Sequence, residues 1–343
     1  MAFSAIIKPT DYFNTILWNG NSSTQAITGV GFAPDFVWGK QRSGTEPHQV
    51  LDKIRGANNI LTPNTSAAAL ADSQILNSFD SDGFTLGNQN QLNDTGATYA
   101  SWNWKGGGTG VSNAEGDITS TVSANTTSGV SIIKFTGNSS TSQSFGHGLN
   151  GTPKIWFIKN ISVGGDNWQV YIDGIRLKLD TTEVGEANYL MTANATTITT
   201  PSSSGAGWGN YNGQDFMVYA FQNIQGFSKA GSYTGNGNAD GTFIYTGFKV
   251  GWILIKDSGR AESWYIFDNR RLGYNGGMAD LIANSTATES GSSATLLDFL
   301  SNGFKLTGTT DHLNGSGQNF IYMAFAETPF VANSGESIPT TAR

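Results

Sequence analysis

Three lysines, three aspartates and three arginines stand at matched places along this chain, and their types are those of acid–base chemistry. Lys40, Asp52 and Arg55 form the first set, Lys159, Asp173 and Arg176 the second, and Lys256, Asp268 and Arg271 the third. A lysine beside a carboxylate moves protons when burial shifts its pKa. Threefold recurrence argues against that use, because a chain rarely holds three equal active sites. An aspartate and an arginine three residues apart, beside a strand-end lysine, form an ion pair that ties neighbouring strands. The nine residues are therefore read as structural, and no catalytic, cofactor-binding or metal-ligating residue is assigned.

Each set lies in a longer recurring stretch. It opens on Gly20-Asn21, Gly137-Asn138 or Gly235-Asn236, and an apolar strand leads to the lysine. It closes on an aromatic strand: Tyr99 to Trp104, Phe216 to Phe221 or Phe320 to Phe325. A repeat of about 100 residues is a whole domain, too long for a solenoid rung. The apolar runs are short, β-branched or aromatic, and cut by Gly, Asn and Ser, which predicts strands. Turn signals at roughly 8–12-residue spacing suit sandwiches and barrels. Asp82-Gly83 and Asn302-Gly303 precede Phe-x-Leu strands as hairpin turns with positive φ would. Residues 66–72 and 277–283 have helix-forming composition, or are irregular connections. The fold expected is all-β: three tandem antiparallel sandwiches of jelly-roll or concanavalin-like type. They span residues 1–105, 130–226 and 227–330. Residues 106–129, rich in Gly, Ser and Thr, read as a linker or an arm laid on a neighbour. Residues 331–343 read as a loose C-terminal tail.

Composition narrows the function classes. The 343 residues exceed what one hydrophobic core usually serves. Only 13% are charged, against about 25% in an ordinary domain, and 44 glycines help make up the difference. A net charge of −7 without basic runs argues against nucleic acid. With no cysteine, neither disulfides nor thiolate metal sites contribute. The start of the chain lacks the apolar core of a signal peptide, and no apolar run is long enough to span a membrane. Synthesis in a cytosol is expected. Asp80-Ser81-Asp82-Gly83 opens like a calcium loop but lacks the later ligands, so a turn is preferred. His48, His147 and His312 lie in different copies and make no metal pattern.

Departures between copies mark where a partner could bind. The second copy alone carries a Gly-rich loop, Ser204 to Gly213, that presents Trp208, Asn210 and Tyr211. Such a surface suits a sugar or a flat partner, and the alternative is a long hairpin packed on its own domain.

The stretches Ile27 to Trp38, Ser78 to Gly87 and Ala324 to Phe330 resemble an uncharacterised domain family of structural and tail-fibre-like proteins of marine tailed phages. The match is close in the first copy, good in the third and weak in the second. The domains are similar in pattern to concanavalin-like and SPRY-like sandwiches, an architectural analogy that transfers no catalytic residue. The resemblance implies a non-enzymatic virion protein, assembled in the host cytoplasm and exposed on the particle as a tail fibre or appendage. It would contact other virion proteins and a host glycan, as a homo-oligomer with a trimer favoured. No heptad stretch forms a fibre shaft, which keeps a capsid decoration or head fibre open. A polysaccharide-degrading tailspike, needing two carboxylates across a groove, is the enzymatic alternative.

Overall fold

Glycine, asparagine and serine break the chain into short extended runs, and nearly all of them pair as antiparallel strands in the computed structural model. It describes residues 4, 6–201, 209–271, 275, 279–290 and 296–329. The strands form three lobes of the same plan, each a sandwich of a large and a small sheet. In lobe 1 the large sheet runs Phe13–Asn19, Thr98–Trp104, Phe36–Gln41, Gln49–Asp52. The matching strands of lobe 2 are Val130–Thr136, Asp215–Phe221, Ile155–Asn160 and Gln169–Ile172. Those of lobe 3 are Ser228–Thr234, Asn319–Pro329, Phe248–Asp257 and Trp264–Asp268. In every lobe the closing strand lies between the opening strand and the strand that carries the lysine. Each small sheet has three strands: Gln25–Thr28, Gly83–Leu86, Leu76–Asp80; Ser144–Gly146, Thr197–Thr199, Thr192–Ala193; and Phe243–Tyr245, Gly303–Leu306, Leu297–Leu300. The fold class expected from the sequence, an all-β sandwich, is what the chain adopts.

Side-chain alternation places the cores. On the closing strands, Tyr99, Phe216 and Phe320 face outward into three separate cores between large and small sheets. Trp102 and Trp104, Tyr219 and Phe221, Met323 and Phe325 face inward into one core shared by all three lobes. At its centre the equivalent rings of Trp104, Phe221 and Phe325 touch one another, with centroids 5.6–6.2 Å apart. The large sheets thus enclose a common centre, and both faces of every closing strand are buried. Three sandwiches in tandem become one closed ring.

Residues 106–129, expected as a linker or an arm laid on a neighbour, lie against lobe 2. Val111–Asn113 pairs with Ser120–Asn125, which pairs in turn with Val130–Thr136, extending the large sheet of lobe 2 to seven strands with Ile175–Lys178. Composition hid this, because the strands are short, polar and set in a Gly-rich stretch. Residues 66–72 are irregular before the short strand Leu70–Ala71, and Leu281–Ile282 is a strand; Gly277 and Met278 lie outside the described residues. Among the described residues the short α-helices fall elsewhere, at Asn90–Asn93 and Asp311–Asn314. The hairpins before Gly83 and Gly303 form as expected. Among their turn residues, positive φ falls on Gly83 and not on Asp82 or Asn302.

Candidate functional site: the seams between lobes

The lysine that ends each central strand is buried and faces backbone oxygens. Lys40 Nζ donates to the carbonyls of Gln41 (2.6 Å) and Gly44 (3.1 Å). Lys159 Nζ reaches those of Asn160 (2.9 Å), Asp166 (2.8 Å) and, across a seam, Ser66 (3.2 Å). Lys256 Nζ reaches those of Asp257 (2.5 Å) and Arg260 (3.0 Å). Burial pushes all three down to about 8, against the pull of nearby carboxylates, so each remains an ammonium at neutral pH. Every lysine fastens the loop that follows its own strand. The lysine does not join the aspartate of its set, whose expected partner is the arginine.

Aspartate and arginine pair in two lobes of three. Arg55 Nε donates to Asp52 Oδ2 at 2.6 Å, and Arg271 Nε to Asp268 Oδ2 at 2.6 Å. In each turn the arginine's own N–H bonds the other carboxylate oxygen, and its guanidinium holds a strand carbonyl, of Val50 or Ile266. The pair also grips the next lobe. Tyr219 Oη donates to Asp52 Oδ2 at 2.7 Å, and Trp102 Nε1 to Asp268 Oδ2 at 2.9 Å. Tyr219 and Trp102 occupy the same place on their closing strands. Burial pulls the Arg55 guanidinium down, but Asp52 and the Tyr219 oxygen outweigh it and its pKa ends above the ordinary value. Burial holds the Tyr219 hydroxyl far up, so it stays a donor.

Lobe 2 departs from this pattern for a local reason. Asp173-Gly174 makes a two-residue hairpin, with φ of 50° and 76°, between strands that pair Ile172 with Ile175. The turn sends Asp173 outward to Lys154, and Arg176 pairs with Glu186. The closing-strand residue that would meet Asp173 is Met323, which has no polar hydrogen to give. Lock and key are absent together, so the expected Asp173–Arg176 pair is replaced by two other pairs.

Two further contacts recur at all three seams. The residue at the start of each fourth strand, or just before it, crosses to a backbone carbonyl of the neighbour. Trp168 Nε1 donates to Thr62 O (3.1 Å), Trp264 Nε1 to Lys178 O (2.8 Å), and His48 Nε2 meets Ile282 O at 3.0 Å. The His48 tautomer follows from its other side: Nδ1 accepts from Trp38 Nε1 at 3.0 Å, so the proton sits on Nε2. Burial pushes the imidazole down to about 3, keeping it neutral. A backbone bridge repeats alongside, from Ala69 N to Ile161 O, Gly185 N to Ser258 O and Glu289 N to Arg42 O. Lobes 1 and 3 add a two-pronged Arg42–Glu289 pair at 2.8 Å.

Asn210, expected to face a sugar, belongs to the scaffold. Its Oδ1 accepts from Asn138 N at 2.9 Å, and its amide donates to Asn138 Oδ1 and Ser140 O. Asn93 and Asn314 hold Asn21 N and Asn236 N at the same 2.9 Å in the other lobes. This grip explains the glycine that opens each repeat: a Cβ on Gly20, Gly137 or Gly235 would stand 2.1–2.4 Å from a carbonyl oxygen of the strapped loop. Tyr211 packs on the outer core of lobe 2. Trp208 lies outside the described residues, as do residues 331–343. Among the described residues no three His, Asp or Glu side chains gather as metal ligands, and no helix is long and apolar enough to cross a membrane.

His48, Trp102, Tyr219 and Glu289 were missed as seam residues. Counting eight or nine residues on from Lys40, Lys159 and Lys256 reaches His48, Trp168 and Trp264, a signal present in the sequence. Glu289 has no counterpart and left none. Fold and seams together define an all-β protein of three interlocked sandwich lobes. The chain belongs to the family described as a domain of unknown function, DUF7483, whose profile matches residues 8–329 in a single span covering all three lobes. Neither the curated proteins nor the solved structures offer a match.

Proposed function

We propose that this chain is a non-enzymatic structural protein of a tailed-phage virion, exposed on the particle as a tail fibre or appendage and contacting the host surface. One observation carries the structural half of that reading. The residues best suited to acid–base chemistry are spent on loop carbonyls and on the next lobe. Lys40, Asp52, Arg55, Asp268 and Arg271 are buried in these contacts, where a substrate has no access. A block locked in this way suits a spacer or platform that must hold its shape. Its placement in a virion rests on the resemblance of Ile27 to Trp38 and of Ser78 to Gly87 to phage structural domains. A homotrimer and contact with a host glycan belong to the same proposal.

Proteomics and cryo-EM of purified particles from a culture that makes the chain are the direct test. The expected result is density for a three-lobed block on the particle surface. Absence of the chain from purified particles would overturn the reading. Release of reducing ends from host polysaccharide by the purified protein would overturn its non-enzymatic half.

A further inference from the structure

The outer edge of the small sheet is finished differently in lobes 2 and 3. In lobe 2 the edge strand Ser144–Gly146 is covered by a bent segment of the chain itself. Ser144 O accepts from the N–H groups of Asp117 and Ile118, both at 2.9 Å. Ser144 N and Oγ donate to Asp117 Oδ2 at 2.9 and 2.7 Å. In lobe 3 the same place belongs to Phe243–Tyr245, where Ile244 opposes Phe304 as Phe145 opposes Ile198. The ladder bonds fall on Thr242 and Thr246. Alternation therefore turns the N–H and C=O of Phe243 and Tyr245 away from the sheet. Lys229 Nζ takes Tyr245 O at 2.7 Å and lies 5.6 Å from the centre of that ring. Phe243, the counterpart of Ser144, keeps both backbone groups turned outward.

The side chains single this edge out. Phe243 and Tyr245 are 45% and 50% exposed on one face of the strand, whereas Ala26 and Thr28 hold these positions in lobe 1. Proteins usually blunt an exposed apolar edge, because it invites another strand. We propose that Phe243–Tyr245 is a docking edge for a segment of another polypeptide, bearing a carboxylate followed by an apolar residue, as in Asp117-Ile118. Backbone bonds to Phe243 would fix the segment and the two rings would cover its apolar side chain. Its carboxylate would face the Phe243 N–H, as Asp117 faces Ser144 N. The inference goes beyond the structural role proposed above and does not depend on it.

The test uses the full chain and a fluorescent peptide with the sequence of residues 110–119, whose parent segment makes this contact in lobe 2. Anisotropy should show saturable binding, weakened about tenfold or more by Phe243→Asp or Tyr245→Lys, as for an aromatic anchor. Ala26→Asp in lobe 1 should leave it unchanged, and circular dichroism should confirm that every variant is folded. Absence of saturable binding, or binding indifferent to both variants, would overturn the proposal. Self-association of the chain lost in the same variants would overturn it in favour of a second copy. Binding only to a chain ending at Pro329 would overturn it in favour of the chain's own C-terminal residues.

Discussion

A buried carboxylate is tolerable only when its charge is matched and its oxygens are bonded, and Asp52 and Asp268 meet both conditions through an arginine and a ring donor from the next lobe. Removing one partner strands the other. Asp52→Ala should cost about 3–5 kcal/mol in denaturant unfolding, the range for breaking a buried pair. Asp173→Ala, the matched aspartate of the sequence repeat but on the surface and one residue past the strand position of Asp52, should cost about 1 kcal/mol or less. Equal losses at the two sites would contradict the seam assignment. His48 supplies a pH test. Its folded pKa of about 3 lies below the ordinary 6.5, so between those values the unfolded chain binds the extra proton. Its contribution is complete above about pH 6.5 and is lost as pH falls towards 3, at roughly 1.4 kcal/mol per pKa unit. The unfolding free energy of His48→Gln should fall less steeply over that window than that of the parent chain. Parallel curves would show that the ring is not buried neutral.

Elements were legible where composition and alternation agreed. The apolar central strands and the closing strands announce themselves by β-branched and aromatic runs, and their threefold recurrence gave the lobes. Val111–Asn113 and Ser120–Asn125 did not, because short polar strands set in a Gly-rich stretch look like a linker until their neighbours are known. The nine charged residues read as scaffold from their recurrence, but their partners were not legible. The lysines bond nearby backbone carbonyls, which no side-chain type marks, and Asp52 and Asp268 bond a residue 167 and 166 positions away, which no local spacing encodes. Gly174 was the readable clue that lobe 2 would differ, since Asp-Gly favours a two-residue hairpin over the Asp-x-x-Arg turn. Gly107 tests the reassigned segment. A Cβ there would stand 2.5 Å from Ala124 O and 2.8 Å from its N. Gly107→Ala should therefore destabilise by about 1–3 kcal/mol in urea unfolding. A neutral effect would mean that residues 106–129 are not held against lobe 2.

At the scale of the whole molecule the lobes share what independent domains keep separate. Trp104, Phe221 and Phe325 meet at the centre, and Arg42 with Glu289 joins the first lobe to the last. No lobe keeps its inner core when a neighbour leaves. Unfolding should then be one cooperative event despite the length of the chain. Differential scanning calorimetry of the intact chain beside Asp268→Ala tests this most directly. The ring predicts one transition, with calorimetric and van't Hoff enthalpies in agreement, that moves as a unit to lower temperature in the variant. Separate transitions in the parent chain, or a variant in which only one part of the heat absorption moves, would contradict it.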